Sequence, residues 1–280
     1  MILSTIHEIK NIPRLKEAGA DALIFGLDEL SIRACRTFLW EQLPEIKACC
    51  ERYQVKLYIN ALRFFMEDEM DLVRRFLKLA KELSVDGIYY GDEGFYQEAK
   101  AIGFEDRLVY QPETLITNSS DIDFYLGLGI QSVSLAHECT LEEIAAMTRN
   151  QKNVEVLISG YFSILYSRRP LLTNYKNQIH SNQIQTDRMY TLIESTRTAR
   201  MPILEDRFGT TIYSEAPIQS FKELPILKEH GLSRFRIDSL FFDDEWTIQV
   251  LQAYKTKGDL PGSNRWYYQK TLTKKEDGDV

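Results

Sequence analysis

The chain has 280 residues, 44% of them hydrophobic, and carries 34 basic against 41 acidic side chains, a net charge of −7. That length suits one large domain or two small ones, since α/β barrels often run to about 250 residues as a single domain. The acidic balance excludes a generic polyanion binder, because phosphate contacts need clustered Lys and Arg, but it is compatible with a local basic patch.

Residues 1–8 lack a basic n-region and turn polar by His7, which does not read as a secretory signal. No apolar run reaches the ~18 residues of a membrane span, so none is expected. Strand-like runs then recur at residues 2–6, 22–26, 55–60, 87–90, 108–111, 132–135, 155–158 and 234–237. Most have a short apolar core, as expected of strands buried on both faces of a parallel sheet. Helical patterns fall between them at residues 9–18, 41–53, 68–83, 95–102, 121–126, 141–148, 221–230 and 244–254. In the third of these, Leu72, Val73, Phe76, Leu77, Ala80 and Leu83 form an apolar stripe. Thr140 and Glu143 have the spacing of a capping box.

Strands alternating with helices predict a TIM-type (β/α)8 barrel. A doubly wound open sheet gives a similar pattern, but no Gly-x-Gly-x-x-Gly or Gly-x-x-x-x-Gly-Lys motif supports a nucleotide-binding version of it. The regularity breaks between Tyr161 and Ile218, where short alternating runs and a turn at residues 206–209 predict a β-rich excursion after strand seven. The expected organisation is one barrel domain over residues 1–256, with a β-rich insertion at about 176–217, and a partly disordered tail over 257–280.

Barrels place chemistry at the C-terminal ends of their strands. The polar residues there are His7, Asp28, Glu29, Asn60, Arg63, Asp92, Glu93, Gln111, Glu113, Asn118, His137, Glu138, Arg236 and Asp238, together with Arg168, Arg169 and Asn174 of the excursion. Of these, Glu138, His137 and Asp238 are the candidate catalytic groups. Gln111, Asn118, Asn174, Tyr175 and Arg236, with the Arg168–Arg169 pair, are the candidate substrate-binding groups. Two adjacent guanidiniums suit bidentate capture of a carboxylate or phosphate. The stretch 161–200 holds six basic residues against Asp187 and Glu194, interleaved with Tyr161, Phe162, Tyr166, Tyr175 and Tyr190. Arginines among aromatics suit RNA, and equally a docking surface for another protein.

No His-x-x-x-His or His-Glu-x-x-His pattern marks a zinc site, and no Gly-x-Ser-x-Gly elbow presents a serine nucleophile. The four cysteines, Cys35, Cys49, Cys50 and Cys139, form no CxxC pair, which suits reduced thiols in a cytoplasmic protein.

The segment from Glu155 to Tyr175 resembles the signature of the collagenase-like peptidase family U32. It matches at Glu155, Gly160, Tyr166, Ser167 and Leu172, with Thr173 in place of a serine, and departs at Ser159, Tyr161, Ser163, Arg168 and Pro170. Ala18–Leu27 with Arg33, Leu135–Ile144, and Phe235–Asp238 are similar to further family motifs, so the resemblance covers most of the chain. Several family members hold a four-iron cluster through cysteines in the signature. Here those positions are Ser163 and Pro170, and no cysteine follows Cys139, so no iron–sulfur cluster is expected.

The resemblance implies one of two activities. The first is prephenate-dependent 5-hydroxylation of the tRNA wobble uridine, with a longer U32 paralogue and tRNA as partners; short, cysteine-poor members of this kind resemble the smaller of two paired proteins. The second is a collagenase-like peptidase using a divalent metal held by some of His7, Glu93, His137 and Glu138. A non-catalytic scaffold subunit of a U32 heteromer is a third reading. The sequence leaves open whether the chain assembles with itself or with a relative.

Overall fold

A computed structural model describes residues 1–149, 151–180, 184–185, 188–193, 195 and 199–269. Each expected strand forms. They are β1 (Ile2–Thr5), β2 (Ala22–Leu27), β4 (Lys56–Ala61), β5 (Gly87–Tyr90), β6 (Leu108–Tyr110), β7 (Ser132–Ser134), β8 (Val154–Gly160) and β14 (Arg234–Ile237), with a two-residue β3 (Thr37–Phe38) beside β2. All eight long partners run parallel, and the sheet closes where β1 meets both β2 and β14, with Leu3 opposite Ala22 on one side and Arg236 on the other. This is a closed (β/α)8 barrel.

The helices between the strands are α1 (Ile12–Ala18), α2 (Leu43–Arg52), α3 (Met70–Glu82), α4 (Glu93–Ala101), α5 (Ser119–Gly127) and α6 (Leu141–Thr148). Later come α7 (Leu171–Gln178), α8 (Glu223–Glu229) and α9 (Asp244–Thr256). The apolar stripe of α3 is buried at Val73, Phe76, Leu77 and Ala80, and Phe76 meets the rings of Trp40 and Phe95. Thr140 and Glu143 make the capping box of α6. The main apolar core lies between strands and helices, and a smaller cluster of Leu3, Ala22, Ile24, Tyr58, Tyr89 and Val109 fills the barrel interior.

That interior is not all hydrocarbon. Glu155 is fully buried, and accepts a 2.8 Å hydrogen bond from the Tyr89 hydroxyl. Arg234 and Arg236, two positions apart on β14 and so on one face of it, lie 3.7 and 3.4 Å from its two oxygens. Burial of a carboxylate is tolerated because opposite charge and a hydrogen bond compensate for lost water.

The β-rich excursion forms a separate antiparallel sheet in the order β10 (Tyr190–Ile193), β11 (Arg200–Asp206), β12 (Gly209–Tyr213) and β9 (Ser163–Ser167). It thus takes in β9, ahead of the stretch 176–217 read from the sequence. The turn at residues 206–209 is closed by Asp206, which accepts from the Phe208 backbone. The sheet roofs the C-terminal mouth of the barrel. Tyr166 stacks on Phe64 and lies under the Arg33 guanidinium, Arg63 sits over Phe208, and Arg207 pairs with Asp28. Short β13 (Ile218–Gln219) then pairs antiparallel with the end of β8.

The tail departs from expectation over 257–269. Trp266 meets Phe162 edge-on at 5.9 Å, and Tyr267 is buried with its hydroxyl 2.9 Å from Ser220 Oγ. Ser263 and Asn264 bond the backbone around β13. The polar composition of this segment hid two aromatic anchors that make it part of the barrel wall. The rest of the expected tail, 270–280, lies outside the described residues, as do Asp187, Glu194 and Arg197 of the basic stretch.

Candidate functional site

A cavity lies at the C-terminal mouth of the barrel, beneath the roof sheet. Its walls come from the ends of the strands. Asn60 lies at the end of β4 beside its last residue, Gln111 and Glu113 follow β6, His137 follows β7, Arg236 lies near the end of β14 and Asp238 follows it. Arg33 reaches in from the loop after β2, while Tyr161, Phe162, Ser163 and Tyr213 close the cavity from the side of the roof.

Gly160 makes the junction possible. It has φ +122°, and a β-carbon there would lie 2.1 Å from the Asp238 carbonyl oxygen. Only glycine lets the ends of β8 and β14 come this close, and the register shifts there between Arg236 and Ile237. That bulge re-aims the chain just before Asp238.

The polar groups form one network. The Glu113 carboxylate accepts from Gln111 Nε2 at 2.6 Å, faces His137 Nε2 at 3.1 Å, and lies 3.5 Å from the Arg33 guanidinium. Arg236 Nη2 is 3.5 Å from the same His137 nitrogen, and Arg236 Nη1 donates to Asp238 at 3.3 Å. A single nitrogen cannot both donate to Glu113 and accept from Arg236. The shorter contact to a carboxylate makes Nε2 the donor, leaving the Arg236 approach a packing contact.

The network sets the charge states. Burial pushes the Glu113 carboxyl up, but Arg33, the hydrogen bond and charge of His137, and Arg236 together outweigh it and hold the group well below the usual carboxylate range. Asp238 goes the other way: burial raises it, the Glu113 charge adds to the rise, and Arg236 only partly offsets them. Two carboxyls of one cavity are thereby driven apart, one firmly ionised and one readier to carry a proton, the pattern from which acid and base roles are built. Burial and the Glu155 charge push the Tyr89 hydroxyl well above its ordinary value, so it stays a hydrogen-bond donor. Burial likewise pushes the nearby Cys35 thiol up to about 12, which leaves it a poor nucleophile.

Of the residues expected from the sequence, His137 and Asp238 from the catalytic set and Gln111 and Arg236 from the substrate-binding set line one cavity. The other candidates stand elsewhere. Glu138 is half-buried beside His137 and does not line the cavity. Asn118 is the N-cap of α5, its side chain accepting from the Asp121 backbone. Asn174 and Tyr175 are exposed on α7, whose first turn is held by Glu205 through the backbone N–H groups of Leu172 and Thr173. Arg168 and Arg169 are exposed just past β9 and do not line the cavity, and Arg168 Nη1 lies 2.9 Å from Met66 Sδ in the barrel loop after β4.

The grouping of cavity residues from the sequence omitted Arg33, Tyr89 and Tyr213, and also Glu155, which lies buried behind Tyr89 and Arg236 and outside the cavity lining. Glu155 had a signal: a lone carboxylate near the start of an apolar strand, with arginines alternating on another. Asp92, one of the rim carboxylates, is the N-cap of α4 and also binds the Phe65 backbone. Among the described residues, no three His, Cys, Asp or Glu side chains group closely enough to hold a metal ion. No helix there is long and apolar enough to cross a membrane.

Comparison with known proteins gives consistent relatives. The chain is 26% identical to tRNA hydroxylation protein P2 of Bacillus subtilis, over 99% of this chain and 90% of the relative. It is 23% identical to tRNA hydroxylation protein P1 of the same organism, over 88% of this chain but only 60% of that longer protein. A collagenase of Porphyromonas gingivalis is 21% identical over 91% of this chain and 64% of its own length. Among solved structures, the U32 peptidase Mk0906 aligns with 57% of this chain and 69% of its own at a TM-score of 0.47 and 12% identity. The family model for peptidase family U32 matches residues 7–276, nearly the whole chain, and the protein belongs to that family.

Proposed function

We propose that this chain supports 5-hydroxylation of the tRNA wobble uridine, with prephenate as the small-molecule reactant and a longer U32 paralogue as partner. The observation that carries this reading is the pairing among its relatives. Two proteins of one organism are both named for tRNA hydroxylation; the chain spans 90% of one and 60% of the other. The cavity suits the small-molecule half of such a reaction. Arg236 is buried against His137 and Arg33, partly buried, reaches in from the other side toward Glu113, a set able to hold carboxylates, while the raised Asp238 suits proton exchange. The exposed Arg168 and Arg169 suit RNA phosphates rather than the cavity.

The chain supplies no thiolates where family members bind a cluster: Ser163 lines the cavity and Pro170 caps α7. In this reading, any electron-transfer group belongs to the partner. A peptidase reading finds less to work with among the described residues. The tightest serine–histidine pair, Ser239 Oγ to His7 Nε2 at 3.0 Å, has its serine fully buried.

The test is mass spectrometry of nucleosides from total tRNA of a strain lacking this chain, with rescue by wild type and by Arg236→Ala. In a strain that keeps the longer paralogue and has no other hydroxylating family member, loss of 5-hydroxyuridine derivatives restored by wild type but not by Arg236→Ala is the expected result. Unchanged nucleosides would defeat the reading.

A further inference from the structure

Glu113 stands where a ligand would. Its carboxylate takes the Gln111 amide, the His137 ring N–H and the Arg33 charge, all from the cavity walls. With Glu113 in place, the cavity has about 20 Å³ of room, space for one water. No organic substrate enters it in this state.

Two further observations mark Glu113 as an occupant rather than a fixed wall. Its backbone has φ +70°, a left-handed conformation that side-chain-bearing residues adopt at a cost. It sits in the loop after β6, where Thr114 and Leu115 are exposed and Leu115, a large apolar residue, is 59% accessible. Moreover, one buried guanidinium nitrogen of the cavity, Arg33 Nε, has no hydrogen-bond acceptor among the described residues, whereas Arg236 Nε faces Glu155 at 3.4 Å. A buried donor without an acceptor is costly, so the site holds more donor capacity than one glutamate satisfies.

We propose that Arg33, Gln111, His137 and Arg236 form a carboxylate-binding site that Glu113 fills in the empty protein and leaves when a substrate carboxylate arrives. The outgoing loop would relax Glu113 from its left-handed backbone and open the space beside Tyr161, Phe162 and Tyr213, whose rings suit a cyclic body attached to the carboxylate. The exchange is one carboxylate for another, so the charge balance around Arg33 is unchanged at either end. The inference rests on the proposed function only for the identity of the natural ligand.

The test uses benzoate as probe, titrated by calorimetry into the full chain. Removing the internal competitor with Glu113→Ala is expected to tighten benzoate binding by about tenfold or more, because the competent state no longer has to be opened. Thermal stability of that variant should be recovered by benzoate and by acetate, and not by chloride at equal ionic strength. Should Glu113→Ala not fold, Glu113→Gln keeps the shape, loses the charge and shows the same order of affinities. Equal benzoate affinity in wild type and variant, absence of binding in both, or binding that survives Arg33→Ala would each overturn the proposal. Equal recovery by inorganic phosphate would overturn the carboxylate assignment. None of these measurements involves tRNA. Failure here with hydroxylation still dependent on the chain removes the displacement alone, and the converse removes only the tRNA reading.

Discussion

Gly160 and Asp238 meet backbone to backbone: the missing β-carbon of one would lie 2.1 Å from the carbonyl oxygen of the other. Because Asp238 and Arg236 both depend on that approach, Gly160→Ala is expected to act on the cavity as well as on stability. The left-handed backbone alone should cost about 1–3 kcal/mol. Urea unfolding should show that loss, and benzoate binding to Glu113→Ala should weaken when Gly160→Ala is added. Unaltered binding in the double variant would detach the glycine from the site.

Glu155 faces two buried arginines at once. Replacing it by alanine leaves Arg234 without its carboxylate partner and Arg236 with Asp238 alone, which should cost about 3–5 kcal/mol in chemical denaturation. Glu155→Gln can still accept from Tyr89 and should lose less. If the two variants are equally unstable, the charge rather than the hydrogen bond is the whole contribution; if both match wild type, the buried ion pair is energetically idle.

The opposed carboxyls predict opposite pH profiles. Glu113 is depressed when folded, so its stabilisation is fully present above its unfolded value of 4.5 and is lost as pH falls toward the folded value. The melting temperature of wild type should therefore exceed that of Glu113→Gln at neutral pH, with the gap closing on acidification. Asp238 is raised above its ordinary 3.8, so ionising it in the fold costs stability that appears as pH rises through its folded value. Asp238→Asn should gain on wild type over that rise. Parallel profiles for the two variants would contradict this charge assignment.

Arg168→Ala/Arg169→Ala should weaken binding of an anticodon stem-loop RNA and reduce the salt slope by about one for each phosphate no longer neutralised. Both residues are exposed, so the thermal midpoint should hardly change. A large drop in stability would instead make the pair part of the roof's own structure.

The docked segment after α9 gives a simple check. Tyr267→Phe removes the hydroxyl bond to Ser220 and should cost about 1 kcal/mol, whereas Tyr267→Ala should cost about 3–5 kcal/mol through the cavity it leaves. Neutral behaviour of both would mean that this stretch does not hold the barrel wall.

The barrel was legible because strands buried on both faces write short apolar runs, and each of the eight runs became a barrel strand. The rim was legible as a set: Gln111, His137, Arg236 and Asp238 follow or end strands and converge. Its division into inside and outside was not. Arg168, Arg169, Asn174 and Tyr175 follow β8 in sequence, yet the antiparallel sheet and the Glu205 cap carry them out of the mouth. Arg33 was hidden for a different reason, since its entry rests on a left-handed backbone at φ +53° that no local pattern announces. Trp266 and Tyr267 were obscured by polar neighbours.

Floor and ceiling of the cavity come from different parts of the chain. The charged floor is locked into barrel register, with Arg236 opposite Leu3 on one side and Leu157 on the other. The ceiling is the separate antiparallel sheet of β9 to β12, which lies between β8 and β13 in the chain and outside that register. Substitutions that reshape the ceiling can alter which molecules fit beneath it without disturbing the charged groups of the floor. A chain built on this plan can vary its roof while the charged floor stays fixed.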